Sequence, residues 1–404
     1  EADLRLDVPG EHFDAKEIIH RITTRDPDDI MPPRTSPKPL TSEETAILQR
    51  WIAAGAKYEQ HWAFLPVRRP VTPGGIDGFI RAELKEHGLT ASPRADARTL
   101  IRRVFLDLTG LPPTPSDLSD FSDLSDEKYA LLVDRLLASP HFGERWGRHW
   151  LDMARYADSN GFLGDGLRPN AYKYRDWVIR AFNEDLPFDQ FTIQQLAGDF
   201  LNAPEGTGFH RNAALNTEAG VDKEEARYQN LVDRVNTTGR VWMGLTVGCA
   251  QCHTHKYDPI TIRDYYSFYA FFDNTEDRDD VKTKTPTLAE VSKDRRQTYV
   301  HMAGDYTRRG PDVMPATLSA LPAQTGPTRL DLAKWLVSPQ NPLTARVAVN
   351  HIWSKFFGTG LVRTPDDFGT SGESPSHPEL LDWLASEFMQ NGWSRKRLIK
   401  LTVM

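Results

Sequence analysis

Cysteine is almost absent from this chain: it occurs twice in 404 residues, and both copies fall within one pentapeptide. Such placement argues against a chance pair of buried thiols. No apolar run approaches the roughly 20 residues that a membrane-spanning helix needs, so no transmembrane segment is expected. Neither sign of charge dominates: 49 basic residues face 56 acidic ones, a net charge of -7, which gives no reason to expect a nucleic-acid partner. An initiator methionine and a leader with charged and apolar parts are also missing. The chain opens Glu1-Ala2-Asp3-Leu4, as expected of a mature or truncated fragment. No Gly-rich phosphate loop, Ser-His-Asp arrangement or repeat period stands out. With 56 acids, paired carboxylates could be proposed anywhere. No catalytic residue is therefore named, and whether the protein is an enzyme stays open.

What is present centres on Gly248-Cys249-Ala250-Gln251-Cys252-His253-Thr254-His255-Lys256-Tyr257-Asp258-Pro259. Cys-x-x-Cys-His is the attachment signature of covalent c-type haem. Two thiols one turn apart add across the vinyl groups, and the adjacent imidazole becomes the axial ligand of iron. Two other readings compete. A redox disulfide expects a thioredoxin-like strand and helix, and the flanks do not alternate like a strand. Zinc would draw on Cys249, Cys252, His253 and His255, although structural zinc sites usually take two separated pairs. Haem c is the expected cofactor.

Periodicity predicts a mainly α protein. Thr41 with Glu44 three residues on is a capping box, opening a helix to Ala54 whose apolar face holds Ile47, Leu48, Trp51 and Ile52. Just before it, Met31-Pro32-Pro33 resembles the way small cytochromes present a sixth ligand, which makes Met31 a candidate metal ligand beside His253. His61 to Pro73 reads as an extended linker. Helices are expected over 76–87, 94–107, 116–121, 126–138, 141–157, 172–183 and 188–200, and a long one over 224–247 that delivers the chain to Gly248. An aromatic helix, 261–272, follows the motif. On 141–157, Trp146, Trp150 and Met153 share one face, while Arg145, Arg148, Asp152 and Arg155 line another. That helix reads either as a salt-bridged surface helix or as an anchor, through Arg148 or Arg155, for haem propionates or a polar substrate. In the second case the loop from Asp158 to Gly166 forms its mouth. Residues 274–327 change to charge clusters and prolines, a linker with a short strand near Thr298 to Met302. Helices resume at 329–337, 342–357, 378–391 and from Trp393.

Longer motifs carry a resemblance. The block 61–273, with Leu108-Thr109-Gly110-Leu111-Pro112-Pro113, Arg148-His149-Trp150-Leu151-Asp152-Met153-Ala154-Arg155-Tyr156-Ala157-Asp158 and Cys249 to Ile260, resembles the second planctomycete cytochrome c domain, a domain of unknown function. The block 328–404, with Asn341-Pro342-Leu343-Thr344-Ala345-Arg346 and Pro365-Asp366-Asp367-Phe368-Gly369, is similar to its companion, the planctomycete-specific C-terminal domain, which is expected to be incomplete here. Residues 1–60 resemble the tail of a leading cytochrome c domain. The resemblance implies a cytochrome-c-like multi-helix domain with long loops, a second helical domain, and a periplasmic or otherwise extracytoplasmic location. Motif and resemblance together lead to electron transfer through haem c, with a redox partner protein or a neighbouring haem domain. The alternatives are a haem oxidoreductase acting on carbohydrate, suggested by ten tryptophans, and a cell-envelope scaffold.

Overall fold

The computed structural model describes residues 13–71, 74–161, 164–216, 219–324 and 326–404. Glu1 to Leu4, and two positions in the loop from Asp158 to Gly166, lie outside the described residues. The chain divides into two compact units, 1–62 and 63–404. Among the described residues no helix is long and apolar enough to cross a membrane.

The first unit is a helix pair. Asp14 accepts the backbone N–H groups of Lys16 and Glu17 and starts α1, Ala15–Thr23. Thr41 and Glu44 form the expected reciprocal cap on α2, Ser42–Ala53. Ile18, Ile22 and Ile52 make its core, with Met31, Leu48 and Trp51 packed around them. Met31 is thus held by packing, and its backbone N–H donates to Arg21 O at 2.9 Å.

The second unit is mainly helical. Its first half runs through α3 Gly75–Glu86, α4 Ala97–Thr109, α5 Pro115–Asp120, α6 Asp126–Leu137, α7 Pro140–Met153, α8 Tyr172–Asn183, α9 Phe188–Ala197, α10 Lys223–Thr238 and α11 Ile262–Asp273. Then come β1 Thr275–Asp279, β2 Pro286–Glu290, β3 Thr298–His301 and β4 Arg309–Val313, and finally α12 Arg329–Leu336, α13 Thr344–Phe357, α14 Pro378–Gln390 and α15 Arg395–Val403. The core gathers around Trp150 on α7. Its indole N–H donates to Gln195 at 2.8 Å, and its ring meets Phe191 and Trp242 with centroids 4.8 and 5.8 Å away. Trp242 in turn donates to Thr192 at 2.9 Å, so both of these indoles have a polar partner as well as an aromatic neighbour. Trp146, Trp150, Trp177, Trp242, Trp335, Trp353 and Trp393 are all core residues. Packing thus accounts for seven of the ten tryptophans.

The segment 274–327, expected as linker, carries two antiparallel hairpins, β1–β2 and β3–β4. The first is stapled to the helices by Arg329, which is fully buried at the start of α12. Its guanidinium donates to Leu196 O at 2.6 Å, Asp199 at 2.6 Å and Glu290 at 3.1 Å, joining α9, β2 and α12.

Candidate functional site

The helix expected over 224–247 stops short. α10 ends at Thr238, a π-type turn covers Gly239–Met243, and the backbone enters the left-handed region at Gly244, φ 59°. Val241, Trp242 and Met243 plunge into the core at that turn, which fixes where the next residues surface. They surface as a short 3-10 helix, Val247–Gln251, with Cys252 closing it in helical geometry. Val247 and Ala250 point inward and are buried, so Cys249 and Cys252 face out; both thiols are free and exposed.

His253 follows on the same surface. Its Nδ1 lies 2.8 Å from the carbonyl of Thr254, and because a carbonyl only accepts, Nδ1 carries the proton. The lone pair is left on Nε2, the arrangement that commonly orients a metal-binding imidazole. His255 behaves differently. Its Nδ1 accepts the N–H groups of Asp258 at 2.8 Å and Tyr257 at 3.3 Å, so it serves the turn that carries it. Among the described residues no three His, Cys, Asp or Glu side chains converge as a metal-ion site, so the four zinc candidates do not come together.

Below the turn lies a phenol network contributed by distant elements. Gln251 donates from Nε2 to Tyr228 Oη on α10 at 2.9 Å, while Tyr266 on α11 donates to Gln251 O at 3.0 Å. Tyr228 donates to Gly304 O at 3.0 Å, and the two phenol oxygens are 3.0 Å apart. Burial, reinforced by the Tyr228 hydrogen bond, pushes the Tyr266 hydroxyl far above its ordinary range and keeps it a donor. Gly304, at φ 75°, has no Cβ for a reason: one built there would sit 2.7 Å from Cys252 Sγ. The turn bearing Gly304 also carries Met302, whose side chain is exposed. His301 packs edge-on against Tyr228 and Tyr266, with centroids 5.0 and 5.2 Å away.

The two arginine candidates lie elsewhere in the second unit. Arg148 is exposed on α7. Arg155, just past that helix, pairs through Nη1 with both carboxylate oxygens of Asp233 on α10, and its Nε and Nη2 are buried without partners. Neither arginine has a hydrogen bond or ion pair to the cysteine turn among the described residues. Met31 belongs to the first unit. Tyr266 lies on the aromatic helix expected over 261–272, whereas Tyr228, Met302 and Gly304 escaped the sequence reading because nothing local marks a residue that supports a turn far along the chain.

Two free thiols and an imidazole with one nitrogen unclaimed, exposed on one turn, form a donor set that fits a covalently tethered haem. The class defined so far is a mainly helical protein presenting that turn over a tyrosine-rich floor. Residues 75–277 match the family model PSCyt2, a protein of unknown function (DUF1549), and residues 328–404 match PSD1, likewise a protein of unknown function (DUF1553). The first match spans half of the chain, and the chain belongs to the PSCyt2 family. In this order the two are the planctomycete-type architecture expected from the resemblance. No curated protein and no solved structure matches.

Proposed function

We propose that this is an extracytoplasmic c-type haem protein that passes electrons to a redox partner protein or a neighbouring haem domain. Cys249 and Cys252 would supply the thioethers and His253 the proximal ligand. One observation carries the proposal: both thiols are free and exposed on the turn that ends at His253, whose Nδ1 is committed to Thr254 O at 2.8 Å. Bound haem supplies one-electron chemistry at its iron. The chain's own part is positioning. Thr254 O fixes the imidazole tautomer, and Gln251, gripped by Tyr228 and Tyr266, holds the cysteine turn against the core. Met302, on the turn packed against Cys252, is put forward as the sixth ligand, and Met31 would serve the separate haem of a leading cytochrome domain.

The test is a pyridine haemochrome spectrum of the full chain made in a host that matures c-type cytochromes. A c-type band, with haem that acid acetone does not extract, is expected, and Cys249→Ala/Cys252→Ala should lose both. Extractable haem in the wild type, or none at all, overturns the proposal.

A second function, oxidation of a polar substrate, is favoured by one feature. A cleft of about 760 Å³ lies beside α10 and β1, lined by Asn230, Arg227, Arg234, Asp273 and Asp277. Saturable spectral shifts with an oligosaccharide would support it.

A further inference from the structure

We propose that the pocket between α10, α11 and the β3–β4 hairpin binds a hexuronate, a hydroxylated six-membered ring carrying one carboxylate. Its volume is about 240 Å³. A cavity of roughly 150 Å³ is enough to hold a benzene ring, so one substituted ring fits. The pocket adjoins the cleft beside β1 and shares Arg227, Asp273 and Arg296 with it. Binding there needs no haem.

The walls favour a hydroxylated ring over a hydrocarbon. No aliphatic side chain lines the pocket; every one is charged, amide, imidazole or phenol. The Tyr228 ring has its centroid 5.9 Å from that of Tyr306, 6.1 Å from Tyr269 and 5.0 Å from His301, which makes one continuous aromatic wall. Such rings combine an apolar face with a polar tip.

Two polar groups in that wall lack partners. Tyr269 on α11 is 2% exposed, and its hydroxyl has no hydrogen bond among the described residues. Burial, with Asp273 nearby, holds that hydroxyl above its ordinary pKa, so it stays a donor. His301 Nδ1 is buried and likewise without a partner. By contrast Tyr228 donates to Gly304 O at 3.0 Å, and Tyr306 donates to Asp222 at 3.3 Å. Buried polar groups are nearly always satisfied. Ring hydroxyls both donate and accept, so they can serve the Tyr269 hydroxyl and the His301 nitrogen together.

Arg309 sets the charge of the ligand. Arg227 is paired with Asp273, and Arg296 with both oxygens of Glu224. Arg309 lies over the Tyr299 ring, 5.2 Å from its centroid, and has no carboxylate partner among the described residues. Three guanidiniums thus face two carboxylates in the lining, which leaves one cation over. The acids just outside are occupied: Asp222 accepts the Glu224 and Glu225 N–H groups, and Asp305 accepts the N–H and hydroxyl of Thr307. A carboxylate is the anion whose two oxygens match the fork of a guanidinium.

Saturation-transfer NMR titrations of the full chain test this with glucuronate, galacturonate, glucose and benzoate. At least one uronate should saturate a single site, with glucose and benzoate each at least tenfold weaker. Arg309→Met, at the exposed rim, should erase the preference for uronate over glucose. Tyr269→Phe should weaken uronate binding at least threefold while the urea midpoint stays unchanged, because the lost hydroxyl bonds nothing in the protein. Absence of saturable uronate binding overturns the proposal. So does glucose or benzoate binding as tightly as the uronate, or wild-type affinity for the uronate in either variant.

Discussion

The carboxylate of Asp258 accepts the backbone N–H of Thr370 at 2.6 Å, across 112 residues of sequence. Asp258 sits on the turn that leaves the cysteine motif, and Thr370 sits in the PSD1 region. A second tie runs alongside, from the Phe368 N–H to Gly244 O at 2.7 Å. Both ends of the 244–258 segment are therefore gripped by one loop of the C-terminal region. That loop contributes to the rigidity of the candidate site without supplying a donor to it.

Gly369→Ala should break this grip. A Cβ there would lie 2.3 Å from Asp258 Oδ2 and 2.6 Å from Oδ1, so the loop or the carboxylate must move. Overpacking of this kind costs about 1–3 kcal/mol. Urea unfolding should show a lower midpoint at unchanged slope, and hydrogen exchange should quicken in 247–258. Unaltered exchange there would show that the loop does not restrain the motif.

Tyr228→Phe removes the hydroxyl shared by Gln251 Nε2 and Gly304 O. Loss of about 1–2 kcal/mol is expected from orphaning these groups. The distinguishing readout is local, namely faster reaction of Cys252 than of Cys249 with a thiol reagent in the haem-free protein. Equal acceleration at both cysteines would point to general loosening.

Much of this architecture was legible in the sequence, and the exceptions have physical causes. The capping box of Thr41 and Glu44 and the period of 172–183 predict α2 and α8 almost residue for residue, because caps and amphipathic stripes are local signals. β1 reads Thr-Glu-Asp-Arg-Asp and offers no alternation. It is a strand because β2 pairs with it and because Arg211 and Arg234 hold Asp277, partners found only in the folded chain. The break in α10 was missed because 224–247 keeps its apolar period through the π-type turn. Likewise the Cys-x-x-Cys-His spacing announces its own donors but not the phenols beneath them.

Met302→Ala tests the ligand assignment in holoprotein. Removing a sixth ligand opens the iron to added ligands, so cyanide or carbon monoxide should shift the spectrum of the variant at concentrations at least tenfold lower than the wild type needs. Identical titrations would exclude Met302 as the sixth ligand while leaving the covalent attachment intact.

Arg329→Met should be among the most damaging single substitutions. It leaves Asp199 without its cation and Glu290 with Arg295 alone. Breaking one side of a buried ion pair costs about 3–5 kcal/mol. Arg329→Lys should recover only part of this, because one ammonium cannot reproduce three directed contacts to Leu196 O, Asp199 and Glu290. Thermal denaturation ranks the three proteins, and lysine equal to arginine would show that charge alone suffices.

Acid should unfold this protein through histidines that are buried neutral. Burial draws His149 and His351 down to about 4, helped at His149 by Lys355, Arg145 and Arg148. His210 lies well below its ordinary value because it is fully buried, with Arg234, Arg329 and Arg155 nearby. In the unfolded chain each titrates near 6.5, so below that pH the unfolded state binds protons that the folded state refuses. Stability from these groups is therefore complete above pH 6.5 and declines as pH falls from 6.5 towards 4. On the order of 2 kcal/mol is expected to disappear across that window for each well-buried histidine. Urea midpoints measured from pH 7.5 to 4.5 should trace this limb, and His351→Phe should make it shallower. A limb of unchanged steepness in that variant would assign the acid sensitivity to other groups.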